Sequence, residues 1–336
     1  MIFRLLAAGL LSLPIIALST PEAKLPVPPA GWDAVGSVPH GMVQPSLSYK
    51  TQTQGNQLYS IYLPPGYSTE KKYPVVYLLH GLGDDQTTWT NGSKGNAHHI
   101  MDNLIAQNKA VPMVVVMPDG AMGVNSNMGN FGTFDAPLTK DLIPHIEATY
   151  SVSKEPIDRA ICGLSMGGGQ TLRIGFGNPD LFYWIGPIAP ASNTSGAVKD
   201  LALVKKNVRF TYLACGSADG LTKSGTQNFH DYMDQNNINP HMMQWEVGQG
   251  HSWTCFNRSF YNFSQRIFTG SSTGVKLAVD NKNGKVPQTT LLFQSGRLVV
   301  QRQDLSGTIP SARYFLDGRS VAIRDMASLP EIPNLR

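Results

Sequence analysis

IDRAICGLSMGGGQTLRIG, residues 157–175, decides how this chain folds and where its chemistry sits. A short apolar run leads into Gly163-Leu164-Ser165-Met166-Gly167, and a helix-compatible stretch follows. That order is the pattern of a nucleophile elbow, G-x-S-x-G between a strand and a helix. A sharp strand-to-helix turn strains the serine backbone, so only glycine-sized neighbours at 163 and 167 avoid a clash. The serine oxygen then projects above a sheet, toward the unbonded N–H groups that open the helix. The same five-letter pattern recurs at Gly270-Ser271-Ser272-Thr273-Gly274, where no strand precedes it and polar residues surround it. The second match reads as a linker.

Working outward from the elbow, strand and helix patterns alternate over residues 46–269. Continuous apolar runs of strand length occur at 73–79, 113–117, 157–162, 182–188 and 209–215, with further strands at 58–62 and 243–247. Unbroken apolar runs are what strands buried on both faces require. Helical patterns lie between them at 99–107, 138–150, 168–176 and 226–236. Such alternation predicts an α/β fold, a mostly parallel sheet flanked by helices.

The ends of the chain read differently. Residues 1–19 combine one early cation, Arg4, with an apolar run and small residues near Ser19, which predicts a signal peptide and an exported protein. The run is too short and broken for a membrane span. Residues 20–45, rich in Pro, Ala and Gly, read as an extended leader. Beyond the linker at 270–274, residues 275–336 carry short β-like runs separated by Asn283-Gly284, Ser295-Gly296 and Asp317-Gly318. These turn pairs predict hairpins in a small C-terminal β module. Nine of the 27 Lys/Arg and five of the 23 Asp/Glu fall after residue 270, leaving a body with eighteen of each. A neutral body gives no reason to expect nucleic acid as a partner. Of the three cysteines, Cys215 and Cys255 are a conceivable disulfide pair in an oxidising compartment, and Cys162 reads as core. No spacing resembles a metal site.

A serine nucleophile needs a base, and the base needs an acid to hold its tautomer. In α/β hydrolases these follow the serine as acid, then histidine, on loops after later strands. Three histidines follow Ser165. His230 falls mid-helix at a packing or surface position, and His241 sits in a polar turn before a strand. His251, in Gly248-Gln249-Gly250-His251, follows a strand on a bendable loop and is the expected base. Asp219, at a glycine-flanked turn after the preceding strand, is the expected acid, although an Asp there also suits a helix N-cap. Asp231 and Asp234 lie in a helix pattern and are expected to face water. The oxyanion needs two N–H donors. Met166, directly after the nucleophile, and Leu82, in the loop Leu79-His80-Gly81-Leu82-Gly83, are the expected pair. His80 reads as a hydrogen-bonded scaffold residue. Trp89, Phe131 and Trp253 are candidates to stack on a substrate ring.

The blocks LPPGYSTEKKYPVVYLLHGLGDDQTTW (63–89), DRAICGLSMGGGQTLRIG (158–175), YWIGPIAPASNT (183–194) and ACGSADGL (214–221) resemble the esterase D-like carbohydrate esterases. The likeness is greatest to feruloyl esterase modules of the bacterial xylanase Z kind. It implies an α/β-hydrolase fold acting on plant cell-wall esters, with no metal or cofactor. It carries the nucleophile onto Ser165, the acid onto Asp219, the base onto His251, and the oxyanion donors onto Met166 and Leu82. The implied partners are feruloylated or acetylated xylan and its oligosaccharides. The chain departs from the family after the histidine, at His251-Ser252-Trp253-Thr254-Cys255-Phe256, which leaves acetyl xylan esterase as the alternative specificity. A silent polysaccharide-binding protein is the remote alternative. LLFQSGRLVVQ and YFLDGRSVAIRD look like C-terminal modules that engage a secretion system or cell surface.

Overall fold

A computed structural model describes residues 25–52, 55–121, 134–191 and 195–269, and the backbone of three short strands between 277 and 302. The main body runs β1 (Met42–Thr51), β2 (Gly55–Leu63), β3 (Val75–Leu79), α1 (Ala97–Ala106) and β4 (Val114–Pro118). A π-helical turn (Pro137–Leu142) enters α2 (Ile143–Thr149), followed by β5 (Arg159–Leu164), α3 (Met166–Gly177) and β6 (Trp184–Ile188). Then come α4 (Leu201–Asn207), β7 (Phe210–Gly216), α5 (Lys223–Gln235), β8 (His241–Glu246) and α6 (Trp253–Ser264). The later strands are β9 (Leu277–Ala278), β10 (Thr289–Gln294) and β11 (Arg297–Arg302).

Strands β1 to β8 form one sheet in the order β1-β2-β4-β3-β5-β6-β7-β8. β4, β3 and β5 through β8 are parallel, whereas β1 and β2 add an antiparallel edge. Every residue of β3, β4, β5 and β6 is buried, which explains why their sequences are apolar without alternation. The winding direction reverses between β3 and β5, the place where open α/β sheets build their ligand crevice. The loop after β3 and the elbow after β5 meet there.

β1 begins at Met42, inside the stretch read as leader, so the sheet starts earlier than residue 46. It holds Pro45 and breaks register between Gln44 and Leu47, with Ser46 at φ 53°. An edge strand tolerates both features, because one side of its ladder has no neighbour to satisfy. The residues before it are tied to the body. The Leu25 N–H donates to Gln244 Oε1 at 3.0 Å, and Trp32 packs edge-on against Tyr261. The Asn103 amide donates to the carbonyls of Gly31, Trp32 and Ala34.

β10 pairs antiparallel with β11, from Thr289 opposite Arg302 to Gln294 opposite Arg297, and β9 pairs antiparallel with β10. The stretch read as a signal peptide, the linker at 270–274, Phe131 and residues 303–336 of the expected β module lie outside the described residues. Among the described residues, no helix is long and apolar enough to cross a membrane.

Candidate active site

β5 delivers Ser165 and α3 begins at the next residue. Ser165 has φ 52° and ψ −114°, a sparsely populated conformation for a side-chain-bearing residue, held because its neighbours leave no alternative. A methyl at Gly163 would lie 2.6 Å from the Gly167 carbonyl oxygen, and one at Gly167 would lie 2.5 Å from that of His80. The turn therefore closes only with glycine at both positions. Hydrogen bonds pin it, from Ser165 N–H to the Ile188 carbonyl at 2.9 Å and from Gly167 N–H to that of His80 at 3.1 Å.

His251 and Asp219 arrive from the loops after β8 and β7. The His251 Nε2 lies 2.9 Å from Ser165 Oγ, and Nδ1 lies 2.7 Å from Asp219 Oδ2. The carboxylate can only accept, so Nδ1 carries the proton and Nε2 is left to accept from the serine hydroxyl. Phe256, on α6, packs edge-on against the imidazole at 5.0 Å between ring centres. Asp219 is almost fully buried. Its Oδ2 also accepts from the Thr222 hydroxyl at 2.7 Å, and its Oδ1 accepts from the N–H groups of Leu221 and Thr222 at 2.8 and 3.0 Å. Burial alone would raise this carboxyl. The bonds from His251 and Thr222 outweigh it and hold the group below the ordinary Asp value. Thr222, not Asp219, is the N-cap of α5, and the Asp219 carboxylate anchors the turn leading into that helix while it faces His251.

Met166 is the first residue of α3, so its N–H has no partner within the helix and lies at the positive end of the helix dipole. The loop carrying Leu82 runs across the elbow, for a methyl on Gly81 would lie 3.7 Å from Ser165 Cβ. His80 fixes that loop from beneath. Its Nδ1 donates to the Gly81 carbonyl at 2.8 Å, and its Nε2 accepts from the Gly120 N–H at 3.0 Å. Gln170 on α3 donates to the Gly120 carbonyl at 2.8 Å, joining the loops after β3 and β4 to the helix of the elbow.

One expectation needs correction. Trp89 is 1 % exposed, its indole N–H donates to the Leu79 carbonyl, and its ring packs on Trp253 and Phe260. It supports the site from the core and offers no face to a substrate. Cys215 and Cys255 are free and buried. The Cys215 thiol lies 3.7 Å from Asp219 Oδ2, and burial raises it to about 11, so it stays protonated beside that carboxylate. Trp253 is half-buried, two residues from His251, and keeps an open part. Thr222 and Phe256 were not singled out from sequence. Thr222, three residues after an acidic turn residue, resembles any helix-opening threonine, and Phe256 resembles any core aromatic.

Fold and site together define the class: an α/β hydrolase with Ser165, His251 and Asp219 hydrogen-bonded in line at the carboxyl edge of its sheet. Residues 51–211 match the family model described as putative esterase. The chain is 33% identical over 198 residues to an endo-1,4-beta-xylanase/feruloyl esterase of Xylanibacter ruminicola, a match covering 55% of this chain and 26% of that protein. It is 29% identical to endo-1,4-beta-xylanase Y of Acetivibrio thermocellus over 50% of this chain and 17% of that protein. The chain therefore spans about a quarter or less of these two relatives. A solved ferulic acid esterase of the anaerobic fungus Anaeromyces mucronatus superposes with a TM-score of 0.63 at 26% identity, covering 73% of this chain and 98% of that one.

Proposed function

We propose that this chain is a secreted serine ester hydrolase that frees ferulate and related hydroxycinnamates from the arabinose side groups of plant cell-wall xylan. The observation that carries this reading is the hydrogen-bonded line from Ser165 through His251 to Asp219, within a chain similar to feruloyl esterases. His251 Nε2 takes the hydroxyl proton as Ser165 Oγ attacks the ester carbonyl. The N–H groups of Met166 and Leu82 stabilise the oxyanion of the tetrahedral intermediate. His251 then protonates the leaving arabinosyl oxygen, and water repeats the sequence on the acyl-serine to release the acid. Asp219, ionised throughout, stabilises the imidazolium that forms in each half. Trp253 and Phe131 are the residues proposed to meet the aromatic acid or the sugar.

The test is a side-by-side assay of methyl ferulate, methyl sinapate, acetylated xylan and 4-nitrophenyl acetate. Ferulate release that disappears in Ser165→Ala supports the proposal. Acetate release from xylan without ferulate release overturns the substrate, and no hydrolysis of any ester overturns the reaction.

A further inference from the structure

At the opposite edge of the sheet from Ser165, three side chains converge. His230 and Asp234 stand four residues apart on one face of α5, and His241 is the first residue of β8. One ligand-capable atom from each lies within 4.8 Å of the other two. Both histidines are more than nine-tenths buried, whereas Asp234 keeps about a third of its side chain open to solvent.

The hydrogen bonds here are incomplete in a specific way. His241 Nδ1 lies 2.7 Å from the Ile238 carbonyl oxygen, which can only accept, so Nδ1 carries a proton. In the neutral ring, Nε2 then presents a lone pair, and it does so to Asp234 Oδ1 at 3.2 Å. Two acceptors at that distance repel unless a cation lies between them. A proton would serve that pair, but it would do nothing for His230. Neither ring nitrogen of His230 has a hydrogen-bond partner, and the nearest carboxylate oxygens stand at 3.7 Å (Asp231 to Nδ1) and 3.8 Å (Asp234 to Nε2). A metal ion satisfies all three groups at once. Ligand atoms around a tetrahedral zinc ion, bound at about 2.0–2.1 Å, stand roughly 3.3 Å apart, near the spacing observed. The bond from His241 Nδ1 to a backbone carbonyl is also the outer contact that metal-bound histidines use to fix their tautomer.

We infer that His230, Asp234 and His241 form a site for a divalent transition ion of the zinc type, with the fourth position open to water on the Asp234 side. Two imidazoles and one carboxylate are the donor set such ions favour. The ion clamps the end of α5 to the start of β8, the whole length of β8 away from the loop carrying His251. Its role is therefore structural, and it bears on the acid and base loops only through the elements it holds.

Zinc chloride is the probe, added to chelator-stripped full-length protein and followed by competition with a chromogenic chelator and by thermal melting. One equivalent should bind, and the melting temperature should rise by several degrees at a hundredfold excess over Kd. Asp234→Asn, at a part-exposed position that tolerates the change, should weaken zinc at least about 100-fold, beyond the usual loss from an outer contact. His230→Gln should do the same, and the neighbouring Asp231→Asn should bind as the wild type does. Absence of stoichiometric binding overturns the inference. So does one equivalent of zinc that Asp234→Asn retains undiminished.

Discussion

Asp219 Oδ2 accepts from both His251 Nδ1 and the Thr222 hydroxyl, at 2.7 Å each, so Thr222 helps to fix the carboxylate that His251 faces. Thr222→Val keeps the side-chain shape and removes one bond to a charged oxygen. At the low end of the range for such bonds, about 1.5 kcal/mol, kcat/KM should fall roughly tenfold. Thr222→Ser should recover most of that loss, which a purely steric role would not allow. By contrast, Ser165→Ala or His251→Ala should lower kcat by at least about three orders of magnitude. A much milder loss in His251→Ala would show that another group serves as base. The same hydrogen bonds give Asp219 a pH signature. Its folded value is depressed, so its stabilising contribution is fully present above the ordinary value of about 3.9 and is lost as pH falls through the lower folded value. Thermal melts of wild type and Asp219→Asn between pH 7 and 2.5 should therefore converge below about pH 4. A gap that stays constant with pH would mean the carboxylate charge contributes nothing to the fold.

At the scale of elements, the elbow depends on close packing more than on helix propensity. After Met166, the first turn of α3 is Gly167, Gly168 and Gly169, poor helix formers that let its backbone approach β3 and β6. A methyl at Gly167 meets backbone atoms of Leu79 and His80, which cannot swing aside as a side-chain tip would. Gly167→Ala should destabilise the protein by about 1–3 kcal/mol, read as a lower melting temperature, and should impair hydrolysis beyond that loss. Gly177→Ala, whose methyl has no neighbour nearer than 3.9 Å, should be neutral or slightly stabilising. The same contrast explains what could be read in advance. β3 to β6 are buried on both faces, so their sequences announce them, and the elbow between β5 and α3 carries obligatory glycines. Asp219 and His251 follow from their order after Ser165. β1 was hidden because an edge strand can hold Pro45 and a bulge. α6 was hidden because its face mixes Asn257, Ser259 and Asn262 with aromatics, all of them buried. The His230–Asp234–His241 cluster joins a helix to a strand, and neither element alone reveals that the two faces meet.

For the molecule as a whole, residues 25–41 act as a strap and not as a free leader. Asp102, on α1, is the buried carboxylate that secures it. Oδ1 accepts from the Gly41 N–H and the Tyr62 hydroxyl at 2.8 Å each, and Oδ2 lies 2.9 Å from His40 Nδ1. One side chain thus joins α1, β2 and the entry to β1, while the adjacent Asn103 holds three carbonyls upstream. A carboxylate 3 % exposed is tolerable only when such donors surround it, so the strap satisfies the charge that anchors it. Asp102→Asn keeps the shape but weakens the charge-assisted bonds and turns one acceptor toward a donor. It should lower stability by about 2 kcal/mol, equivalent to roughly 4–8 °C in melting temperature for a body of this size. Limited proteolysis should cut residues 25–41 sooner in Asp102→Asn than in the wild type, because the strap is the part released. If the variant melts and digests like the wild type, the strap is an appendage after all, and the fold is complete from Met42 onward.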